Sequence, residues 1–76
     1  GVNMIYVTYK NVTYKVAADI KNRLTRWDAI DCGCGAYRNE RTTLHAELVG
    51  IITESAVLKG NPENFSHYHL REYNGN

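Results

Sequence analysis

The chain is 76 residues long, with nine Lys and Arg against eight Asp and Glu for a net charge of +1. This sets it apart from dedicated nucleic-acid coats, where strong basicity supplies most of the affinity. A single domain of this size buries only about 60 to 65% of the surface its unfolded chain exposes, so a deep catalytic cavity would strip side chains from an already thin core. No apolar run approaches the roughly 20 residues of a membrane span, and no secretory signal is visible, so a soluble chain is expected.

Taken in chain order, Met4-Ile5-Tyr6-Val7-Thr8-Tyr9 and Val12-Thr13-Tyr14-Lys15-Val16 are β-branched and aromatic runs separated by Lys10-Asn11. They predict a β-hairpin, with Asn11 suited to positive φ although no Gly follows it. The two Val-Thr-Tyr-Lys tetrads within it are the arms of the hairpin, not an internal repeat. Asp19 is the expected cap of a helix running from about Ala18 to Asp31. Ile20, Leu24, Trp27 and Ile30 fall on one stripe of it, and Trp27 is the expected centre of the core, packed on the hairpin. The helix should stop at Cys32-Gly33-Cys34-Gly35, where glycines supply permissive backbone.

Residues 36–41 look like a polar loop. From Thr42 to Leu58 two patterns compete: Leu44, Leu48, Ile51 and Ser55 fit a helix, whereas alternation through Leu44, Ala46, Leu48, Gly50 and Ile52 fits a strand. Gly50 and the cluster Val49, Ile51, Ile52, Thr53 lower helix propensity and favour the strand. Lys59 to Asn64 reads as a turn around Pro62, Phe65 to Tyr73 as another strand, and Asn74-Gly75-Asn76 as a frayed end. The expected architecture is therefore one α+β domain over residues 1–76. It has an N-terminal β-hairpin, one amphipathic helix and further antiparallel strands in the C-terminal half, with 42–58 open to either assignment.

Candidate chemistry is sparse. Cys32-x-Cys34 with His67-x-His69 offers thiolates and imidazoles to a tetrahedral metal, yet structural zinc sites space their cysteines by two residues or more. On a strand His67 and His69 are ordinary neighbours on one face. A strained bridge between Cys32 and Cys34 is a further option, and two cysteines this close suit a reducing compartment better than a stapled secreted fold. Nucleophilic catalysis would need His45, His67 or His69 beside a cysteine and a third group to orient it, and Gly33 and Gly35 make no dinucleotide fingerprint. The expected inventory is no catalytic residue, no cofactor and no metal.

Charge is unevenly spread. Residues 1–31 carry five basic and three acidic side chains, residues 32–41 two and one, and residues 42–76 two and four. Packed as separate faces, such segments would make an electrically lopsided molecule of the kind that steers toward protein partners. The hairpin interleaves Tyr6, Tyr9 and Tyr14 with Lys10 and Lys15, which also suits base stacking and phosphate neutralisation.

The length, the tyrosine-rich sequence, and Gly1-Val2-Asn3 ahead of Met4 together resemble the small internal head proteins of T-even coliphages. These are trimmed by a prohead protease that cuts after Glu and leaves a small residue first. Gly1 fits that rule, the alternative being three residues added in cloning. The resemblance covers the whole chain and rests on overall similarity and the terminus, with no diagnostic short motif and no residue-level site to carry over. It implies a protein held in the capsid interior, injected with the DNA into the host cytoplasm, and inhibiting there a host restriction endonuclease that attacks glucosylated hydroxymethylcytosine DNA. Direct protein binding by a monomer is the expected mode, without membrane and without direct DNA contact. The expected surface is the hairpin plus the basic side of the helix: Tyr9, Lys10, Tyr14, Lys15, Arg23 and Arg26. The competing readings are a nucleic-acid module that shields DNA and a zinc-stabilised binding module.

Overall fold

The computed structural model describes residues 3–31 and 35–74. Strands β1 (Met4–Tyr9) and β2 (Val12–Ala17) form the predicted hairpin, paired from Met4↔Ala17 to Tyr9↔Val12. Lys10 and Asn11 sit at φ 50° and 66°, and positive φ at both central residues is the requirement of the two-residue turn whose twist matches its strands.

A 3₁₀ turn over Ala18–Ile20 leads into helix α1 (Lys21–Ile30). Ile20, Leu24, Trp27 and Ile30 are each at most 4% exposed, so the predicted stripe is the buried face. Asp19 does not cap the helix. The N-cap position is Ile20, without a side-chain cap bond, and Asp19 lies within the 3₁₀ turn. The predicted stop at Cys32-Gly33-Cys34 lies outside the described residues.

The region from 36 onward corrects the sequence reading. A second 3₁₀ turn, Gly35–Tyr37, runs directly into helix α2 (Arg38–Thr53), so residues 36–41 are not a loop and 42–53 are not a strand. Arg41, Leu44, His45, Leu48 and Ile52 form the buried stripe of α2. Propensity was outweighed because a side face of this helix packs on both α1 and the sheet, and tertiary burial overrides the few tenths to 1 kcal/mol at stake at each position. Thr42, Thr53 and Ser55 donate their hydroxyls to the carbonyls four residues earlier, at 3.0, 2.7 and 2.8 Å, so their polar groups are absorbed locally.

Strand β3 (Ala56–Val57) is a two-residue edge, and β4 (His67–Leu70) occupies only the centre of the predicted 65–73 strand. The sheet order is β3-β2-β1-β4. β3 is antiparallel to β2, but β4 runs parallel to β1, with Tyr6↔His67 through Tyr9↔Leu70. The fold is thus α+β with a mixed sheet; a parallel neighbour requires a long crossover, here supplied by the helices and β3. Ile5, Val7, Tyr9, Val16 and Leu70 face the helices in one core with Trp27 and Leu48. The opposite face carries Thr8, Thr13, Lys15, His67 and His69 by strand alternation. Tyr6 also points there yet is 2% exposed, because the loop ahead of β4 closes over it: Phe65 lies 5.1 Å away ring to ring and the Glu63 amide donates to the Tyr6 hydroxyl at 2.6 Å.

Candidate functional site

Five segments converge beside the hairpin turn. β1 ends with Tyr9, the turn adds Lys10, α1 ends before Asp31, the first turns of α2 bring Arg41, and the chain leaving β4 brings Arg71, Glu72, Tyr73 and Asn74. They line a cleft of about 810 Å³. Arg71 donates through Nε and Nη2 to the two oxygens of Asp31, fork to fork, and its guanidinium lies 5.9 Å from the Trp27 ring. Lys10 faces Glu72 at 3.8 Å and the Tyr9 ring at 5.6 Å.

Arg41 is the buried cation of this cleft, 4% exposed. It donates to the Ile30 carbonyl at 3.3 Å and lies 5.9 Å from the Tyr73 ring, so a side chain of α2 satisfies a carbonyl that the end of α1 leaves open. The Tyr73 hydroxyl is buried and, among the described residues, meets no partner at hydrogen-bonding geometry. Close approach of the Thr42 hydroxyl first, then of Arg41 and Arg38, holds its phenol below the ordinary 10.0 against the opposing effect of burial.

Beneath the cleft lies His45, 5% exposed, with ring centres of Trp27, Tyr73 and Tyr9 at 4.9, 5.7 and 6.0 Å. Its Nε2 is 2.8 Å from the Arg71 carbonyl; a carbonyl only accepts, so Nε2 carries the hydrogen. This bond ties the segment after β4 to α2 and thereby holds one wall of the cleft.

The six residues expected to form one surface are dispersed. Tyr9 is a core residue at 8% exposure, and Tyr14 packs half-buried against the same core. Lys10 stands at the cleft mouth. Lys15 is on the opposite face of the sheet, 5.6 Å from the Phe65 ring. Arg23 and Arg26 reach across to α2, pairing with Glu47 at 3.6 Å and Glu40 at 2.5 Å. These two pairs span a shallow groove of about 330 Å³ floored by Leu44. Only Tyr9 and Lys10 of the six come together in the cleft. Sequence reasoning passed over Arg41 because residues 36–41 read as a loop, and passed over Arg71 and Tyr73 because they read as strand; extending the α2 stripe back from Leu44 and Leu48 would have found Arg41.

Ion pairs cross between the basic and acidic segments of the sequence. Lys10–Glu72 and Arg23–Glu47 join the basic N-terminal segment to the acidic C-terminal one, so the segments interlock. Cys32 and Cys34, and with them the expected metal or disulfide options, lie outside the described residues. His67 shares a 2.8 Å hydrogen bond with Thr8, which also meets Thr13 at 2.8 Å. Among the described residues no group of three or more His, Cys, Asp or Glu side chains is placed to hold a metal ion, and no helix is long and apolar enough to cross a membrane. In comparisons with known proteins, no family model, no curated protein and no solved structure matches the chain.

Proposed function

We propose that this protein is an injected phage head protein that inhibits a host modification-dependent restriction endonuclease by binding it directly. The identity of the partner and the passage from capsid interior to host cytoplasm come from the resemblance in sequence. The observation that supports a binding role is the cleft, where Tyr9, Lys10, Arg41, Arg71 and Tyr73 converge. Aromatic side chains and Arg are the residue types that dominate interface energetics when they cluster around a recess that excludes water. Both walls are held from behind, by the His45 bond and by the Arg41 bond to α1, and a pre-formed surface loses less entropy on association.

Binding between purified endonuclease and this protein, measured by calorimetry for single charge reversals, tests the placement. Lys10→Glu at the cleft mouth weakens binding, whereas Lys15→Glu on the opposite sheet face leaves it unchanged; the reverse pattern removes the cleft from the interface. A second reading, a module that covers DNA, is favoured by the opposite face, where Lys15, Phe65, His67 and His69 offer a cation and rings for stacking. Salt separates the two, because a phosphate-binding face loses affinity steeply as ionic strength rises.

A further inference from the structure

We infer that the outer edge of β4 (His67–Leu70) is a docking edge, where an extended segment of the protein partner adds an antiparallel strand to the sheet. This rests on the reading of the protein as a direct binding inhibitor and names the form in which its partner meets it. β4 ends the sheet order, so β1 is its only neighbour in the sheet. In the parallel pairing of Tyr6↔His67 and Thr8↔His69, the Tyr6 amide donates to the Ser66 carbonyl at 2.9 Å. A parallel ladder that starts from residue 66 continues through the backbone of residues 68 and 70. The amides and carbonyls of His67 and His69 therefore point away from β1, and among the described residues neither finds a backbone partner there. Both residues are exposed.

Such an edge is a template for pairing, and proteins commonly blunt it with Lys, Pro, a bulge or a very short strand. The opposite edge is blunted in this way, since β3 is only Ala56–Val57. The run His67-Tyr68-His69-Leu70 holds no Lys, Arg, Pro or Gly, and its register with β1 continues from Tyr6↔His67 to Tyr9↔Leu70 without a bulge. It is also held in place: His67 shares its 2.8 Å hydrogen bond with Thr8 of β1, and Leu70 is 1% exposed. An edge fixed beforehand loses less entropy when a strand is added.

The open groups recur at every second residue, which is the spacing of another extended backbone. A second copy of this chain fits poorly in size. β4 laid on β4 joins only His67 and His69 of each copy, well short of the roughly 800 Å² per partner that a stable interface buries. A larger protein partner escapes that limit, because β4 runs directly into Arg71, Glu72 and Tyr73, which line the cleft. A partner seated over the cleft has the adjoining edge within reach. On the core side its strand would lie beside half-buried Tyr68 and buried Leu70, so apolar residues are expected at alternate positions of the segment.

The test is amide hydrogen exchange of the whole protein, free and with the purified endonuclease. In the free protein the Tyr68 and Leu70 amides, bonded to β1, are expected to exchange slowly and those of His67 and His69 fast. In the complex the His67 and His69 amides are expected to slow about a hundredfold. His69→Pro removes an outward donor at the kind of position where an edge strand tolerates proline, and is expected to weaken binding about tenfold. His69→Thr keeps the donor and is expected to stay within about twofold of the wild type. Should His69→Pro fail to fold, the exchange measurement decides. A complex in which the His67 and His69 amides stay fast overturns the edge and leaves the inhibitor reading intact, as does His69→Pro binding like the wild type or His69→Thr losing as much as His69→Pro. No complex at all overturns the inhibitor reading itself. Slow exchange at His67 and His69 in the free protein, growing with its concentration, makes a second copy the occupant and overturns the assignment to the partner.

Discussion

His45 shows how one residue can serve the site without forming its surface. Its ring fills the space between Trp27, Tyr9 and Tyr73, and its Nε2 hydrogen holds the Arg71 carbonyl. Replacing it with Leu keeps the volume apolar but leaves that carbonyl without its donor, which costs on the order of 1 to 3 kcal/mol. Urea unfolding of His45→Leu is expected to show a loss of that size, and His45→Gln, which can still donate, a smaller one. Equal losses in the two variants would mean that packing alone accounts for the residue. Sequence had offered His45 only as a possible catalytic base, because the carbonyl it meets belongs to a residue 26 positions away.

A second residue-scale expectation concerns Glu40. The Arg26 hydrogen bond holds its carboxyl below the ordinary 4.5, against the opposing effect of desolvation and with a lesser contribution from the charge of Arg26. A depressed folded value means stability that is complete above the ordinary carboxylate range and is lost as pH falls through the folded value. Because both partners are solvent-accessible the contribution is small. Melting temperatures from about pH 7 down to about pH 3 should show the wild type ahead of Glu40→Gln at the upper end and the two converging at the acid end. Divergence toward acid would contradict the pairing.

At the scale of elements, α2 is where local preference and packing disagree most. Gly50 lies exposed within it, and a Cβ placed there meets nothing within 4 Å. Gly50→Ala is therefore expected to stabilise by about 1 kcal/mol, read as a higher melting temperature; destabilisation would contradict a helical Gly50. The hairpin and α1 were legible because period and composition agreed: alternating Val, Tyr and Thr at one end, and Ile20, Leu24, Trp27 and Ile30 at helical spacing after it. The helix over 38–53 was not, since Val49, Ile51, Ile52 and Thr53 carry strand propensity and the same Leu residues satisfy both periods. What decides is that Leu44, Leu48 and Ile52 must cover α1 and the sheet at once, a demand that exists only in three dimensions. The parallel placement of β4 was hidden for the same reason, as strand direction depends on the route between elements rather than on residues 67–70.

For the whole molecule, the layered arrangement leaves two surfaces of different character. One side of the hairpin turn holds the cleft, with its buried Arg41 and aromatic walls. The far face of the sheet presents Thr8, Thr13, Lys15 and two histidines. The expected binding surface of six hairpin and helix residues dissolves into these separate locations, because sequence could pick out Tyr, Lys and Arg but not which way each side chain faces. What remains of that expectation at the cleft is Tyr9 and Lys10, joined by Arg41, Arg71 and Tyr73 from later in the chain.

The most direct measurement is cleavage of glucosylated hydroxymethylcytosine DNA by its endonuclease while this protein is titrated, at two enzyme and two DNA concentrations. A direct inhibitor gives a half-inhibiting dose that follows the enzyme concentration and is indifferent to the DNA. A dose that follows the DNA, or no inhibition at any dose, would contradict direct binding to the endonuclease.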